Sequence, residues 1–496
     1  MAFAPPSPHF LATHPLILGI DLGTSGIRFG VYDPIEKTAL AMIEPKNPSP
    51  FQSTAFRHPD DWDRQLKQGF AQVQQSPWRH QIGRIMADAT SSTVCLSGAH
   101  PDGTREPATP FLFYDDASAT AQAEWIERFA PEQTGARGAS ATLAKVMWLQ
   151  MHADKTHPSG LVDRPWHQID WLNHWLTQQP DLPTDGNNAL KLGFDPTTDQ
   201  WPAWVFQTLA QYRNQHAPSA DPIQLPQVVP AGRFLAPISQ TLAEMSGLSK
   251  TVGVYAGTTD SIAGFFATGA QAIGQGVTSL GSTLAIKLLS DRPVFSPKHG
   301  IYSHKVGPFW LVGGASNAGG KVLLEKFGID AITQWCQQWQ AKLKDTPSAT
   351  TRPGGALSHR CEDLKPGLDY YPLLTPGERF PIADAHKMPK WTPQAKDQRT
   401  AFLGAIEGLV QIEKQGYQKL AQWGAPQLKQ VLSVGGGRKN PMWQALRHCQ
   451  LPVIESDTPH DSAPPFYHDQ AAIGVARLLS LLSADKLDAN GATAPS

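Results

Sequence analysis

The stretch Leu16-Ile17-Leu18-Gly19-Ile20-Asp21-Leu22 runs into Gly23-Thr24-Ser25-Gly26 and out again as Ile27-Arg28-Phe29-Gly30-Val31-Tyr32-Asp33. Two apolar runs about a Gly-hydroxyl-hydroxyl-Gly turn predict a β-hairpin whose first strand carries one acid, Asp21, to the turn. Glycines let backbone N–H groups approach an anion, and the hydroxyls of Thr24 and Ser25 add donors. A carboxylate beside them can reach a phosphate-bound Mg2+ through water. The same tetrapeptide also closes ordinary hairpins. A second copy separates the two readings: Leu280-Gly281-Ser282-Thr283, followed by the apolar Leu284-Ala285-Ile286, lies in the other half of the chain. Two phosphate turns so far apart predict two domains of similar build that grip one nucleotide from both sides.

The length agrees, because 496 residues exceed what one hydrophobic core supports. Lys plus Arg is 42 against 43 for Asp plus Glu, a formal charge of -1. That balance carries no electrostatic footprint for nucleic acid or an anionic membrane, and neither partner is expected. The cysteines Cys95, Cys336, Cys361 and Cys449 are far apart with no Cys-x-x-Cys, which speaks against a disulfide framework or a structural zinc site and for a reducing compartment. Residues 1–15 contain no Lys or Arg and match neither a secretory signal nor a transit peptide. No apolar run is long enough to span a membrane. A cytoplasmic protein is expected.

Along the chain, a third strand is predicted over Thr38–Ile43, then a helix over 58–75 with Trp62, Leu66, Phe70 and Val73 on its apolar face. Short strands at 82–87 and 93–96 flank the polar knot Asp88-Ala89-Thr90-Ser91-Ser92, and helices follow at 117–129 and 142–151. The aromatic segment 167–176 is expected to cover a core. Stretches 153–165, 213–231 and 343–367 read as surface connections. The pattern then restarts: a strand at 252–256, a loop at 257–261, a helix to 270 and the second hairpin at 276–290. A strand at 431–437 runs into three glycines, and Asn440-Pro441 opens a helix. The expected organisation is an extension 1–15, a first domain 16–252, a second 253–483 and a flexible tail 484–496.

Asp260, in Gly257-Thr258-Thr259-Asp260-Ser261-Ile262-Ala263, stands where a strand ends and a helix begins. There it can accept a proton from a substrate hydroxyl, or it can simply cap the helix for about 1 kcal/mol. Gly435-Gly436-Gly437 can admit a flat base, since glycine lacks the Cβ that would block it, or can be a flexible turn. Trp443 then reads as a stacking or pocket residue. The run Gly314 to Lys321 has one residue too many before the lysine, and Val322 replaces the Ser/Thr of a P-loop. Neither Gly-x-Ser-x-Gly nor Gly-x-Gly-x-x-Gly occurs, so readings as a serine hydrolase or a dinucleotide dehydrogenase lose their main support. His167 and His174 are too far apart to chelate on one helix face and read as ordinary packing residues.

Taken together these segments resemble the FGGY carbohydrate kinases of the actin-like, ribonuclease-H-like ATPase superfamily, from about Leu16 to Arg447. Within that family the likeness is to D-ribulose kinases. It is carried by Asp88-Ala89-Thr90-Ser91-Ser92-Thr93, Asn187-Asn188-Ala189-Leu190-Lys191-Leu192-Gly193, the Asp260 segment, Leu280-Gly281-Ser282-Thr283-Leu284, Leu368-Asp369-Tyr370-Tyr371-Pro372-Leu373 and Pro376-Gly377-Glu378-Arg379-Phe380-Pro381. The resemblance implies an α/β protein of two actin-like domains facing a central cleft, using ATP and Mg2+ to phosphorylate the terminal hydroxyl of a ketopentose. It implies Asp260 as catalytic base, and Asp21, Ser91 and Asp260 as sugar contacts. Asp21 would also serve Mg2+ through water. For ATP it implies Gly23, Thr24, Ser25 and Arg28 on one side and Gly281, Ser282, Gly436, Gly437, Asn440 and Trp443 on the other. Ala89 stands where glycine is usual, and Tyr114-Asp115-Asp116-Ala117-Ser118 lacks the Trp and Arg of the xylulose kinase motif, which leaves sugar contacts of Asp115 and Asp116 open. The competing functions are a xylulose, glycerol or other polyol kinase, an actin-like ATPase scaffold and a silent sugar sensor.

Overall fold

The computed structural model describes residues 3–46, 57–153, 161–345, 363–452 and 470–491. Two compact units emerge, one holding the described residues up to Gly269 together with Lys305–Gly307 and the C-terminal helix, the other Ala270–His304 and the described residues from Pro308 onward to 452. Strands of the first are β1 (Leu16–Leu22), β2 (Ile27–Asp33), β3 (Thr38–Ile43), β4 (Ile82–Ala89), β5 (Val94–Ala99), β6 (Arg105–Pro107), β7 (Leu161–His167), β8 (Thr184–Asp185), β9 (Val228–Val229), β10 (Phe234–Pro237) and β11 (Gly253–Thr259). Its main sheet has the order β10-β11-β4-β1-β2-β3. β1 pairs antiparallel with β2 and parallel with β4, and β4 pairs parallel with β11.

The predicted hairpin and third strand are thus present, closed at the turn by Gly23 N–H donating to the Gly26 carbonyl at 3.1 Å. The helix Pro59–Gln75 starts one residue after the expected point because His58 is its N-cap, and Trp62, Leu66, Phe70 and Val73 are all fully buried against the sheet. Three expectations change. Part of the stretch 153–165, read as a surface connection, is the start of β7, paired along β5. The segment 253–269 belongs to the first unit: β11 extends the existing parallel sheet beside β4. A strand that joins an old sheet and one that founds a new sheet carry the same alternation, so the boundary expected at 252 falls after Gly269 instead. The C-terminal segment also returns to the first unit as the helix Ala471–Gly491, which includes most of the expected tail 484–496. Residues 346–362, within the stretch 343–367, lie outside the described residues.

That last helix packs without side chains between the backbones. A Cβ on Gly19 of β1 would fall 1.8 Å from the Ala472 carbonyl oxygen, and one on Gly474 would fall 1.8 Å from that of Ala263 in the helix Asp260–Ala267. Ala472, Ile473, Val475, Ala476, Leu478 and Leu479 are fully buried there. The C-terminal helix thereby lies directly against both the sheet and the helix that begins with Asp260.

The second unit is built on β12 (Gln275–Leu280), β13 (Leu284–Ser290), β14 (Tyr302–Val306), β15 (Phe309–Ser316) and β16 (Gln430–Val434), in the order β14-β15-β13-β12-β16. Its core includes a buried ion pair: Arg447 Nε and Nη2 donate to Glu413 at 2.8 and 2.7 Å. Thr278 Oγ1 of β12 donates to the same carboxylate at 2.5 Å, and Arg447 also bonds Ser433 of β16. Glu378, from the 376–381 string, is a second buried hub. It accepts from Ser316 and Tyr371 hydroxyls and from the backbone N–H groups of Asn317 and Arg379. Among the cysteines, Cys95 and Cys336 are buried free thiols, whereas Cys449 is disulfide-bonded, where no disulfide framework was expected. No helix among the described residues is long and apolar enough to cross a membrane.

Candidate active site

Three carboxylates gather where the parallel strands of the first unit end, the edge at which α/β sheets bind ligands. Asp21 of β1 and Asp88 of β4 are register partners, and Asp88 is in turn the partner of Thr258 on β11, two residues before Asp260. Asp21 is buried, and Arg28 on the return strand donates Nη1 to its Oδ2 at 3.2 Å. Arg28 Nη2 also reaches Ser25 Oγ at 3.3 Å, so the cation spans the acid and the turn. Thr24 and Ser25 are exposed at the tip. The phosphate-turn residues predicted from the sequence therefore do converge with Asp21.

Burial raises the Asp21 pKa to about 6, Arg28 opposing and Asp260 adding to the rise. Asp88 is wholly buried, and neither of its oxygens meets a donor among the described residues. Burial, then the charges of Asp21 and Asp260, hold it well above the usual carboxylate range. These surroundings favour its protonated form, and Asp88 in turn lowers the Asp21 pKa. The sequence reading passed over Asp88 as part of a polar knot. The signal was its place at a strand end, the same place that singled out Asp21.

Asp260 is the first residue of its helix and not the cap. Thr259 occupies the N-cap position, and Asp260 Oδ1 accepts from the Ser261 N–H at 2.6 Å. Half-exposed Asp260 is thus placed at the positive end of a helix dipole. Lys191, from the 187–193 string, is partly buried and feels Asp260: burial lowers its pKa while Asp260 draws it upward. Asn187 Nδ2 in the same string donates to Thr258 Oγ1 at 3.1 Å, tying that turn to the end of β11. Neither residue had been given a role from sequence.

Ser91 is half-buried on the turn after β4, next to Ser92, whose φ of 68° is unusual for a side-chain-bearing residue. That turn is held from below. Ser92 Oγ donates to the Ser140 carbonyl at 2.6 Å, and the buried Lys145 ammonium donates to the Ser92 carbonyl at 2.9 Å and to the Phe113 carbonyl. Asp115 is clasped by Arg57 through two bonds of 3.0 and 2.7 Å, and Asp116 Oδ1 accepts from the N–H and hydroxyl of Ser118. Both acids are committed to protein partners.

In the second unit the predicted nucleotide residues also meet one another. Gly281 and Ser282 form the β12–β13 turn, whose carbonyls accept from Gly320 and Lys321 at the start of the next helix. Gly435 and Gly437 pack on Leu280 so closely that a Cβ on either would fall 2.9 Å from its backbone oxygen, while Gly436 opens to free space. Asn440 is the N-cap of the helix Pro441–Gln450, accepting from Met442 and Trp443 N–H groups. Trp443 corrects the sequence reading: at 1 % exposure its ring is core, supporting Gly437 from beneath rather than presenting a stacking face. A helix position just past a glycine loop can point to either side, and only packing chooses.

Among the described residues no three His, Cys, Asp or Glu side chains are arranged to hold a metal ion. What stands beside the glycine turn is the Asp21 carboxylate with Arg28 on it. This suits a hard divalent cation that keeps its own waters and arrives on phosphates.

The chain matches the model for the FGGY family of carbohydrate kinases, N-terminal domain, over residues 16–267 and that for the C-terminal domain over 276–464. It is 21% identical to a xylulose kinase of Staphylococcus epidermidis over 471 residues, covering 90% of this chain and 86% of that one. Its fold matches the crystal structure of gluconate kinase from Lactobacillus acidophilus with a TM-score of 0.68 at 18% identity, over 95% of this chain and 89% of that one. It also matches Plasmodium falciparum glycerol kinase with ADP at a TM-score of 0.64 and 16% identity, over 97% and 93% of the two chains. At such identities the structures speak for the fold, two actin-like domains, and the matched models speak for the family. The chain therefore belongs to the FGGY family of carbohydrate kinases, ATP-dependent phosphotransferases that take an alcohol group as acceptor.

Proposed function

We propose that this kinase transfers the γ-phosphate of ATP to the terminal hydroxyl of a ketopentose, converting D-ribulose to D-ribulose 5-phosphate in the cytoplasm. The observation that carries the chemistry is Asp260 as a non-capping helix-start carboxylate in electrostatic contact with Asp21, Asp88 and Lys191. Asp260 accepts the proton of the attacking hydroxyl. Asp21, kept ionisable by Arg28, orients the sugar hydroxyls, and Ser91 adds a donor from the braced turn. Thr24, Ser25 and the Gly23 turn take the transferring phosphoryl group, with Arg28 beside it to offset developing charge. Gly281, Ser282, Gly436 and Gly437 take the nucleotide, while Asn440 and Trp443 support that loop. Mg2+ entering with ATP would be met by Asp21, and would neutralise phosphate charge.

The choice of D-ribulose rests on the strings at 88–93 and 187–193 and on the missing Trp and Arg in 114–118. The second reading is a xylulose kinase, the activity named for a relative. ADP release measured with D-ribulose, D-xylulose, gluconate, glycerol and no sugar decides between them. D-ribulose is expected to give the highest kcat/KM. Preference for D-xylulose replaces the substrate, and equal rates in all five overturn sugar kinase activity.

A further inference from the structure

At the opposite end of the same strands, the first unit contains a cavity of about 1070 Å3 lined by Pro6, Leu11 and Pro15 of the N-terminal segment, Arg84, Tyr255 and Leu482. Arg84 pairs in register with Ile17 and Gly253 near the strand starts. It is four residues from Asp88, about 13 Å along the strand. The cavity is therefore separate from the three carboxylates.

Arg84 is 9% exposed. Its Nη2 donates to the Pro15 carbonyl at 3.0 Å, and its Nε is buried with no acceptor. Among the described residues no carboxylate lies within ion-pair distance of Arg84. Among the described residues Asp181 is the one acid lining the cavity, and it is exposed and engaged by Arg164 at 2.5 Å and Arg105 at 3.4 Å. A second arginine, Arg233, stands exposed at the rim. Burial lowers the Arg84 pKa and Tyr255 partly restores it, yet a guanidinium does not give up its proton in a protein. A buried permanent cation without a counter-ion is destabilising, and methionine or leucine would fill the same space without that cost. A guanidinium is, however, well suited to carboxylate and phosphate recognition.

We infer that this cavity binds a small organic anion, a phosphate monoester or carboxylate of sugar-phosphate size, with its charged group on Arg84 and its body against the proline and leucine walls. The volume is at the upper end of small-molecule sites and far exceeds one phosphate. Inference and substrate assignment are independent, because no residue is shared.

The test is isothermal titration and thermal unfolding of the full chain with glucose 6-phosphate, citrate and inorganic phosphate at about 10 mM, where mass action makes even weak sites visible. Wild type and Arg28→Ala are both expected to bind glucose 6-phosphate or citrate, with inorganic phosphate weaker. Arg84→Met should bind at least tenfold more weakly, and Arg84→Lys should be intermediate. Binding by only the ester or only the carboxylate identifies the source of the charge. Absence of binding by wild type overturns the inference. So does binding that survives Arg84→Met or is lost in Arg28→Ala, which would put the anion at the phosphate turn. Should Arg84→Met not fold, hydrogen exchange on wild type replaces it: protection confined to 3–15 and 232–236 supports the site, and protection confined to 21–28 overturns it.

Discussion

Asp88 is the residue whose surroundings press hardest against ionisation. Because burial and its acidic neighbours favour the protonated form, Asp88→Asn is expected to be a mild replacement. Its kcat is expected within about threefold of wild type, since removing one ordinary hydrogen-bond difference is worth about 0.5–1 kcal/mol. Steady-state kinetics and unfolding at pH 7.5 check this; a loss like that of a catalytic carboxylate would mean Asp88 works as an anion. Asp260→Ala, by contrast, is expected to lower kcat by about 1000-fold, the ordinary reach of a general base, with ATP affinity unchanged by titration. Near-normal turnover would reduce Asp260 to a helix-start acid. Asp21 and Asp260 were legible because turn chemistry and a strand-to-helix junction mark them. Asp88, Lys191 and Lys145 were not, since their roles come from strand register and burial. Trp443 was misread because an aromatic beside a glycine loop has two faces to choose from.

Among elements, the C-terminal helix decides where the helix of Asp260 sits. Gly474→Val adds a side chain where even a Cβ would fall 1.8 Å from the Ala263 carbonyl oxygen, backbone that no rotamer change can move aside. Stability measured by urea unfolding is expected to fall by about 3 kcal/mol or more, with kcat reduced in the fraction that folds. The turn bearing Ser91 depends similarly on Lys145, whose pKa burial pushes down to about 8. The folded state sheds this proton before the unfolded chain does, so between about pH 8 and 10 the unfolded state binds more protons and stability rises with pH. The unfolding-temperature gap between wild type and Lys145→Met is therefore expected to widen from pH 7.5 to 9.5. A constant gap would show that folded Lys145 keeps its proton throughout this range, as the unfolded chain does. Strands β1 and β2 were readable as near-continuous apolar runs about a glycine turn, and the helix Pro59–Gln75 because one amphipathic face suffices to define it. β7 was not, its Leu161-Val162-Asp163-Arg164-Pro165 having neither clean alternation nor a run of apolar residues.

For the whole molecule, the chain leaves the first unit after Gly269 and returns to it with its last helix. Truncation before Gln470 removes six fully buried side chains from that unit, a loss on the order of 10 kcal/mol, comparable to the entire stability of a domain. The truncated protein is expected to lose the cooperative unfolding transition of the first unit and all kinase activity, as followed by circular dichroism and ADP release. A folded, active truncation would mean the helix is dispensable.

The amino-acid sequence by itself determined the two Gly-hydroxyl hairpin turns, the strand-end and helix-start places of Asp21 and Asp260, the double-domain plan and the family, because each is written in local spacing of glycine, hydroxyl and carboxylate. Tertiary structure alone decided that Asp88 lies beside Asp21, that Trp443 is core, that β11 and the last helix belong to the first unit, and that Arg84 lines a cavity with no counter-ion among the described residues. Those facts depend on which strands become neighbours and which side chains lose water, and neither quantity is local in the chain.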